Sequence, residues 1–209
     1  MQLIGMLDSP YVRRTAISMR LLGIAFEHRA VSVFSTFAEF QRINPVVKAP
    51  TLVCDDGEIL MDSTLILEYA QHVAGRSLMP RTRPALQHAL RVLGLALAAC
   101  EKSVQTVYER ELRPPAKHHQ PWLDRVRGQV LAAYAGLERE VRAQPLALDR
   151  ESIDQAAVTT AVVWQFTQSM IPEIVAAAEH PTLVRHSTAA ETLPEFLAFP
   201  PIGPGVPAK

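Results

Sequence analysis

The stretch Leu7-Asp8-Ser9-Pro10-Tyr11-Val12-Arg13-Arg14, LDSPYVRR, sets the frame for everything that follows it. An apolar run, QLIGML, precedes it and reads as a strand. Ser9 then stands where a helix cap belongs, and Pro10 stands at the first helical position, where its missing N–H costs nothing. Apolar residues at Val12, Ile17, Met19, Leu21 and Leu22 carry a helix forward until Gly23 stops it. A strand that runs through a Ser-Pro cap into a helix aims one hydroxyl and the positive end of a helix at the same point.

Outward from this stretch the first seventy-odd residues alternate. FEHRAVSV, 26–33, predicts a second strand and TFAEFQRI, 36–43, a short helix or turn ending at Asn44-Pro45. APTLVCD and GEILMD predict two strands joined by a tight turn at Asp55-Asp56-Gly57, and Ser63 to Val73 predicts a helix closed by Gly75. A helical crossover makes the first two strands parallel; a hairpin makes the last two antiparallel. The expectation is a mixed four-stranded sheet. GRSLMPRTRP, Gly75 to Pro84, is polar and twice broken by proline, so it reads as a linker. Beyond it the pattern is helical: Pro84 to about Arg110, Gln120 to Arg142, Ser152 to Met170, then shorter helices over Ile171 to Ala178 and Thr182 to Ala190. Ser152, with Gln155 three residues on, reads as a capping box. The tail FPPIGPGVPAK should be irregular and mobile. The organisation expected is an α/β domain over 1–75, a linker over 76–83 and an all-helical domain over 84–209.

Charge excludes some functions. The chain has 21 basic and 21 acidic residues, so no electrostatic footprint for nucleic acid or an anionic membrane is expected. Arg13-Arg14 and Arg81/Arg83 are too short to form basic patches and read as solvated faces. The two cysteines, Cys54 and Cys100, have no metal or disulfide spacing and read as buried free thiols, as in a reducing cytoplasm. His118-His119 lacks further ligands at metal spacing, so no metal is expected. The start of the chain lacks a basic n-region and reads as a strand rather than a signal peptide. No apolar run approaches a membrane span.

Four stretches, in order and at these spacings, resemble the glutathione S-transferases: SPYVRR, NPVVKAPTL, MDSTLILEY and HPTLVRHSTAAETLPEF. The resemblance runs from Met1 to about Pro201. Ser-Pro-aromatic at the first helix, with Lys before Ala-Pro, is similar to the serine-type branch, which includes tau-like and several bacterial members. It implies a thioredoxin-like first domain that binds glutathione and a helical second domain that carries the electrophile pocket. In a glutaredoxin the positions of Ser9 and Val12 would be cysteines, and the anion at the helix end would be the protein's own thiolate. Here the anion would be the thiolate of glutathione, and Ser9 would donate to it. Ser9 is also readable as a plain cap, and the two roles are compatible.

The resemblance implies further contacts. Pro50 would be cis, turning the Ala49 backbone toward the cysteinyl unit, and Lys48 would reach the glycyl carboxylate. Read without the resemblance, Pro50 is a trans proline opening an edge strand. Ser63 would bind the γ-glutamyl carboxylate, and Asp62 would face the ammonium. Most relatives carry Glu where this chain has Asp62, and Asp where it has Gln155. Tyr11, Phe34, Tyr108, Arg113 and Trp122 are the candidates for the electrophile pocket. The activity implied is conjugation of glutathione to a small hydrophobic electrophile, a detoxification chemistry. Peroxide reduction, isomerisation, or a glutathione- or partner-binding module with little catalysis remain open; dithiol exchange is disfavoured, since positions 9 and 12 lack cysteine. The apolar stretch Ala89 to Cys100, with the resemblance, implies a homodimer.

Overall fold

The computed structural model describes residues 1–206, so the expectation for the last three residues of the tail lies outside them. The chain forms two compact units, one of Met1–Leu78 with Leu193–Gly205, the other spanning Met79–Thr192. The first is a thioredoxin-like domain and the second is all-helical.

In the first unit β1 (Gln2–Ile4), α1 (Pro10–Leu21), β2 (Glu27–Arg29), α2 (Phe37–Ile43), β3 (Thr51–Val53), β4 (Ile59–Met61) and α3 (Ser63–Ala74) follow in order. The sheet runs β2-β1-β3-β4. β1 pairs with β2 in parallel, and β1–β3 and β3–β4 are antiparallel, as the crossover and the hairpin require. Each strand is only three residues long, shorter than its apolar run, because the chain leaves the ladder at Gly5 and again after Arg29. Leu3 and Ile4 are both fully buried although they point to opposite faces, so the sheet is covered on both sides. Ile4, Val31 and Phe40 form the core on one face. Gly5 has φ +139° and no room for a side chain: a Cβ there would lie 2.6 Å from Val12 Cγ2. That glycine lets the strand turn directly under the start of α1. Gly75, at φ 62°, closes α3 in the left-handed conformation expected of it.

Two residues expected on a solvated face are inside. Arg13 and Arg14 are each 1% exposed. The periodicity of α1 is set by Val12, Ala16, Ile17 and Met19, and a twelve-residue helix packed on several sides has little outer face left.

In the second unit α4 (Arg83–Leu112) packs on α5 (Gln120–Ala143) and on α6 (Gln155–Met170). α6 is buried nearly all round from Gln155 to Trp164 and is the centre of this unit. It starts later than the capping box predicts. Ser152 is captured by Asp149, whose carboxylate accepts its N–H and its hydroxyl. Asp154 is the cap instead, accepting the Ala157 N–H at 2.8 Å, and Gln155 is the first helical residue. The helix expected over Ile171 to Ala178 is also absent: Pro172 disfavours helical geometry at Ile171, and only a 3₁₀ turn at Ala177–Glu179 forms. α7 (Pro181–Ala190) follows. Its first turn is held by Glu138 of α5, a buried carboxylate that accepts the N–H groups of Thr182 and Leu183 at 3.0–3.1 Å. The last helix, α8 (Pro194–Leu197), belongs to the first unit and packs on α1.

Candidate functional site

Three backbone features of the first unit bring chemistry to its surface. The first is the N-terminus of α1. Ser9 is the cap, half-buried, with φ −74° and ψ 121°, and Pro10 follows at the first helical position. The Val12 N–H reaches Ser9 Oγ at 3.5 Å, long for a cap bond, so the hydroxyl is loosely committed to the helix. A helix end supplies N–H groups without intrahelical partners and a positive potential, so an anion is favoured here.

The second feature is the loop before β3. The Ala49–Pro50 bond is cis, as the resemblance implies. The loop is braced from below: Asn44 Nδ2 donates to Thr51 Oγ1 at 2.9 Å, Thr51 Oγ1 donates to the Lys48 carbonyl at 2.7 Å, and Asn44 Oδ1 accepts the Val46 N–H. Asn44 and Thr51 are both buried. The sequence pattern around Asn44 and Thr51 is thereby explained: two buried polar side chains hold a short loop that no ladder holds. Ala49 is half-buried, and Lys48 is exposed, with its ammonium 3.8 Å from the Asp62 carboxylate. Half-exposed on both sides, this pair contributes at most about 1 kcal/mol and opens readily to a ligand.

The third feature is the start of α3. Asp62 caps it, at a positive φ of 74°, accepting the Thr64 N–H at 2.9 Å. Ser63 is the first helical residue and is 4% exposed. Its hydroxyl accepts from Arg14 Nη1 at 2.9 Å, and the same nitrogen lies 3.4 Å from Thr64 Oγ1. Arg14 was not among the candidates. A hydroxyl that accepts from a guanidinium is polarised as a donor, so Arg14 turns Ser63 into a stronger partner for an anion. No pattern along the sequence singles it out, because its partner Ser63 lies 49 residues away.

Ser9, Lys48, Ala49, Pro50, Asp62 and Ser63 thus all lie in one unit, at one helix start, one braced loop and a second helix start. Of the pocket candidates, Tyr11 and Phe34 are half-buried residues of this same unit. Tyr108, Arg113 and Trp122 belong to the helical unit, where they line a single cavity of about 570 Å³ with Gln105, Glu109, Leu112, Pro114 and Lys117. Trp122 and Tyr108 are 43% and 41% exposed, large surfaces for rings in a concave site. Arg113 Nε donates to Glu109 at 2.8 Å. Cys54 and Cys100 are both buried, and neither is in a disulfide. Among the described residues, no helix is long and apolar enough to cross a membrane, and no three potential metal ligands gather.

Residues 3–77 match the family model of the glutathione S-transferase N-terminal domain. A solved glutathione transferase family member from Pseudomonas fluorescens Pf-5, with bound S-(propanoic acid)-glutathione, is 30% identical, and the alignment covers 97% of this chain and 100% of that one with a TM-score of 0.79. The chain belongs to the glutathione transferase family. Another family structure, a glutathione S-transferase from Methylobacterium radiotolerans in complex with glutathione sulfonate, is 25% identical, with a TM-score of 0.89 over 100% of this chain and 98% of that one. Among curated proteins, the uncharacterized GST-like protein YibF of Escherichia coli is 27% identical over 163 residues, 78% of this chain and 80% of its own. Glutathione transferases with glutathione derivatives bound therefore share this fold over its whole length.

Proposed function

We propose that this protein is a serine-type glutathione transferase, which joins the glutathione thiolate to a small electrophile. The observation that carries this reading is Ser9: a hydroxyl at the cap of α1, weakly engaged by its own helix at 3.5 Å, in the same unit as the cis-Pro50 loop and the Arg14–Ser63 pair. A free thiol titrates near about 8.5, so a fall of roughly two units makes the thiolate the major form at neutral pH. Ser9 acts as a donor to the sulfur, with the helix end adding to the same field. It is not a base, since its own alkoxide is out of reach.

The remaining residues divide by the part of the tripeptide they take. Ala49 offers its backbone to the cysteinyl unit beside Pro50, in the manner of an added strand. Lys48 takes the glycyl carboxylate. Ser63, polarised by Arg14, takes the γ-glutamyl carboxylate at the start of α3, and Asp62 takes the ammonium. The shorter arm of Asp62 relative to the usual Glu is offset by its cap geometry, which holds the carboxylate at the helix start. The bound derivatives of the two structural relatives support glutathione as the co-substrate.

The electrophile is assigned to the cavity of Tyr108, Arg113 and Trp122 in the helical unit. Its size lies within the range of small-molecule sites, about 300–1,000 Å³. Its rings suit a flat apolar group, and Arg113, Lys117 and Gln105 suit a polar substituent, so a purely hydrophobic electrophile uses only part of it. The sulfur lone pair forms the new carbon–sulfur bond, the leaving group departs with the old bonding pair, and the thiol proton goes to solvent. The protein is proposed to work in the cytoplasm as a homodimer. Leu65 and Leu90, 65% and 53% exposed, are surfaces that a second copy would cover. The test is turnover of glutathione with a reactive aryl halide, run beside glutathione binding. Both are expected, and binding without turnover across a broad set of electrophiles would instead favour a binding module.

A further inference from the structure

The segment after α8 does more than end the chain. Arg13, one turn into α1, donates from Nε to the Phe199 carbonyl at 2.8 Å, and its guanidinium carbon lies 5.7 Å from the centre of the Phe196 ring. Phe199 stacks on Phe26 at 5.7 Å and 19°. Farther along, the Gly205 N–H donates to Asp8 Oδ2 at 2.8 Å. Gly203 passes so close to this carboxylate that a Cβ there would lie 2.1 Å from Oδ2. The segment therefore grips the chain at Asp8, just before α1, and at Arg13, one turn into it, on either side of the turn that Ser9 caps. The Arg13 N–H also donates to the Ser9 carbonyl at 2.9 Å, so both grips lead into Ser9.

We propose that Phe199–Gly205 is a positioning strap that fixes the first turn of α1 and thereby aims the Ser9 hydroxyl. Asp8 is its anchor, and Gly203 is the residue whose missing side chain lets the strap close. The irregular, proline-rich composition of the segment suits this task. Pro200, Pro201 and Pro204 stiffen a stretch that has no ladder, so little freedom is lost when it is laid down. The proposal rests on the assignment of Ser9 as donor to the glutathione sulfur.

Gly203→Val tests it cleanly, because the atom its side chain meets is the end of the flexible Asp8 side chain, which can swing away without disturbing the core. Asp8→Ala removes the anchor from the other side. Both variants, with Ser9→Ala and the double variant Ser9→Ala/Gly203→Val, are compared with the unaltered chain after their melting temperatures confirm folding. The readouts are the pH at which bound glutathione ionises, followed by thiolate absorbance, its dissociation constant, and turnover of an aryl halide. Gly203→Val and Asp8→Ala should each lower turnover on the order of tenfold, inside the 10²-fold that a 1 Å misplacement costs. They should raise the ionisation pH and leave glutathione affinity unchanged at low pH, where the bound thiol is protonated. The double variant should be no worse than Ser9→Ala, because the strap acts through Ser9.

If Ser9→Ala shifts the ionisation but Gly203→Val does not, the strap is overturned and the Ser9 assignment stands. If Ser9→Ala itself shifts nothing, the assignment falls and the strap's action through it falls too. A double variant clearly worse than Ser9→Ala places the effect elsewhere and overturns the proposal. So does a lowered ionisation pH in Asp8→Ala, which would mark Asp8 as a plain negative charge acting on the sulfur.

Discussion

Arg14 donates to the Ser63 hydroxyl at 2.9 Å from a position almost wholly out of water. One helix of the first unit thus contributes twice to the proposed glutathione site: Ser9 at its tip for the sulfur, and Arg14 on its buried side for the residue that takes the γ-glutamyl carboxylate.

Arg14→Met should therefore act on binding. It removes a charge-assisted bond and leaves Ser63 a weaker donor. KM for glutathione is expected to rise by about tenfold, equivalent to about 1.4 kcal/mol, with kcat little changed. Ser63→Ala should show the same split. Steady-state kinetics in glutathione checks both; a fall in kcat at unchanged KM would refute this division of labour.

Glu138 gives a prediction about stability. Burial by itself pushes its carboxyl up, but hydrogen bonds from the Thr182 side chain and from the Leu183 and Thr182 N–H groups, with Arg142 nearby, win and hold it below the ordinary value. A folded pKa below the unfolded one means stability that is present above the unfolded pKa, about 4.3, and lost as pH falls through the folded value. Glu138→Gln should lose about 1.5–3 kcal/mol at neutral pH, the range for hydrogen bonds to a charged group. The gap between it and the unaltered chain should narrow below about pH 4. Denaturant melts at neutral and acidic pH measure this directly.

Trp122 separates the two halves of the reaction. Trp122→Ala removes a ring from the cavity that also holds Tyr108 and Arg113. It should raise KM for an aromatic electrophile and leave glutathione affinity untouched. The second tryptophan, Trp164, is buried at 4% exposure, so quenching in a Trp164→Phe background reports electrophile binding at Trp122 alone.

Much of this was legible in the residues, for physical reasons. The Ser9-Pro10 cap, the Asp55-Asp56-Gly57 turn and Gly75 are local signals, and they placed α1, the hairpin and the end of α3. Parallel and antiparallel pairing followed from connection type alone. What could not be read depends on tertiary partners. Arg13 and Arg14 are indistinguishable from solvated arginines until Phe199 and Ser63 are seen beside them. Ser152 and Asp154 are both good caps, and the competition was decided by Asp149 taking Ser152. Glu138 sits forty-four residues from the helix it caps, a pairing no window along the chain contains. The contact of the proline-rich end with Asp8 could not be read because its two partners lie at opposite ends of the sequence.

The central claim is that Ser9 ionises bound glutathione, and one titration tests it. Thiolate absorbance of the glutathione complex is followed against pH for the unaltered chain and for Ser9→Ala. The unaltered complex should ionise well below the free thiol's value of about 8.5. In Ser9→Ala the midpoint should move back toward it, by about one to two units for a lost hydrogen bond worth about 1.5–3 kcal/mol. Glutathione affinity at low pH should stay the same. A midpoint that is lowered equally in both proteins would contradict the account: the helix end alone would then hold the thiolate, and Ser9 would be a cap.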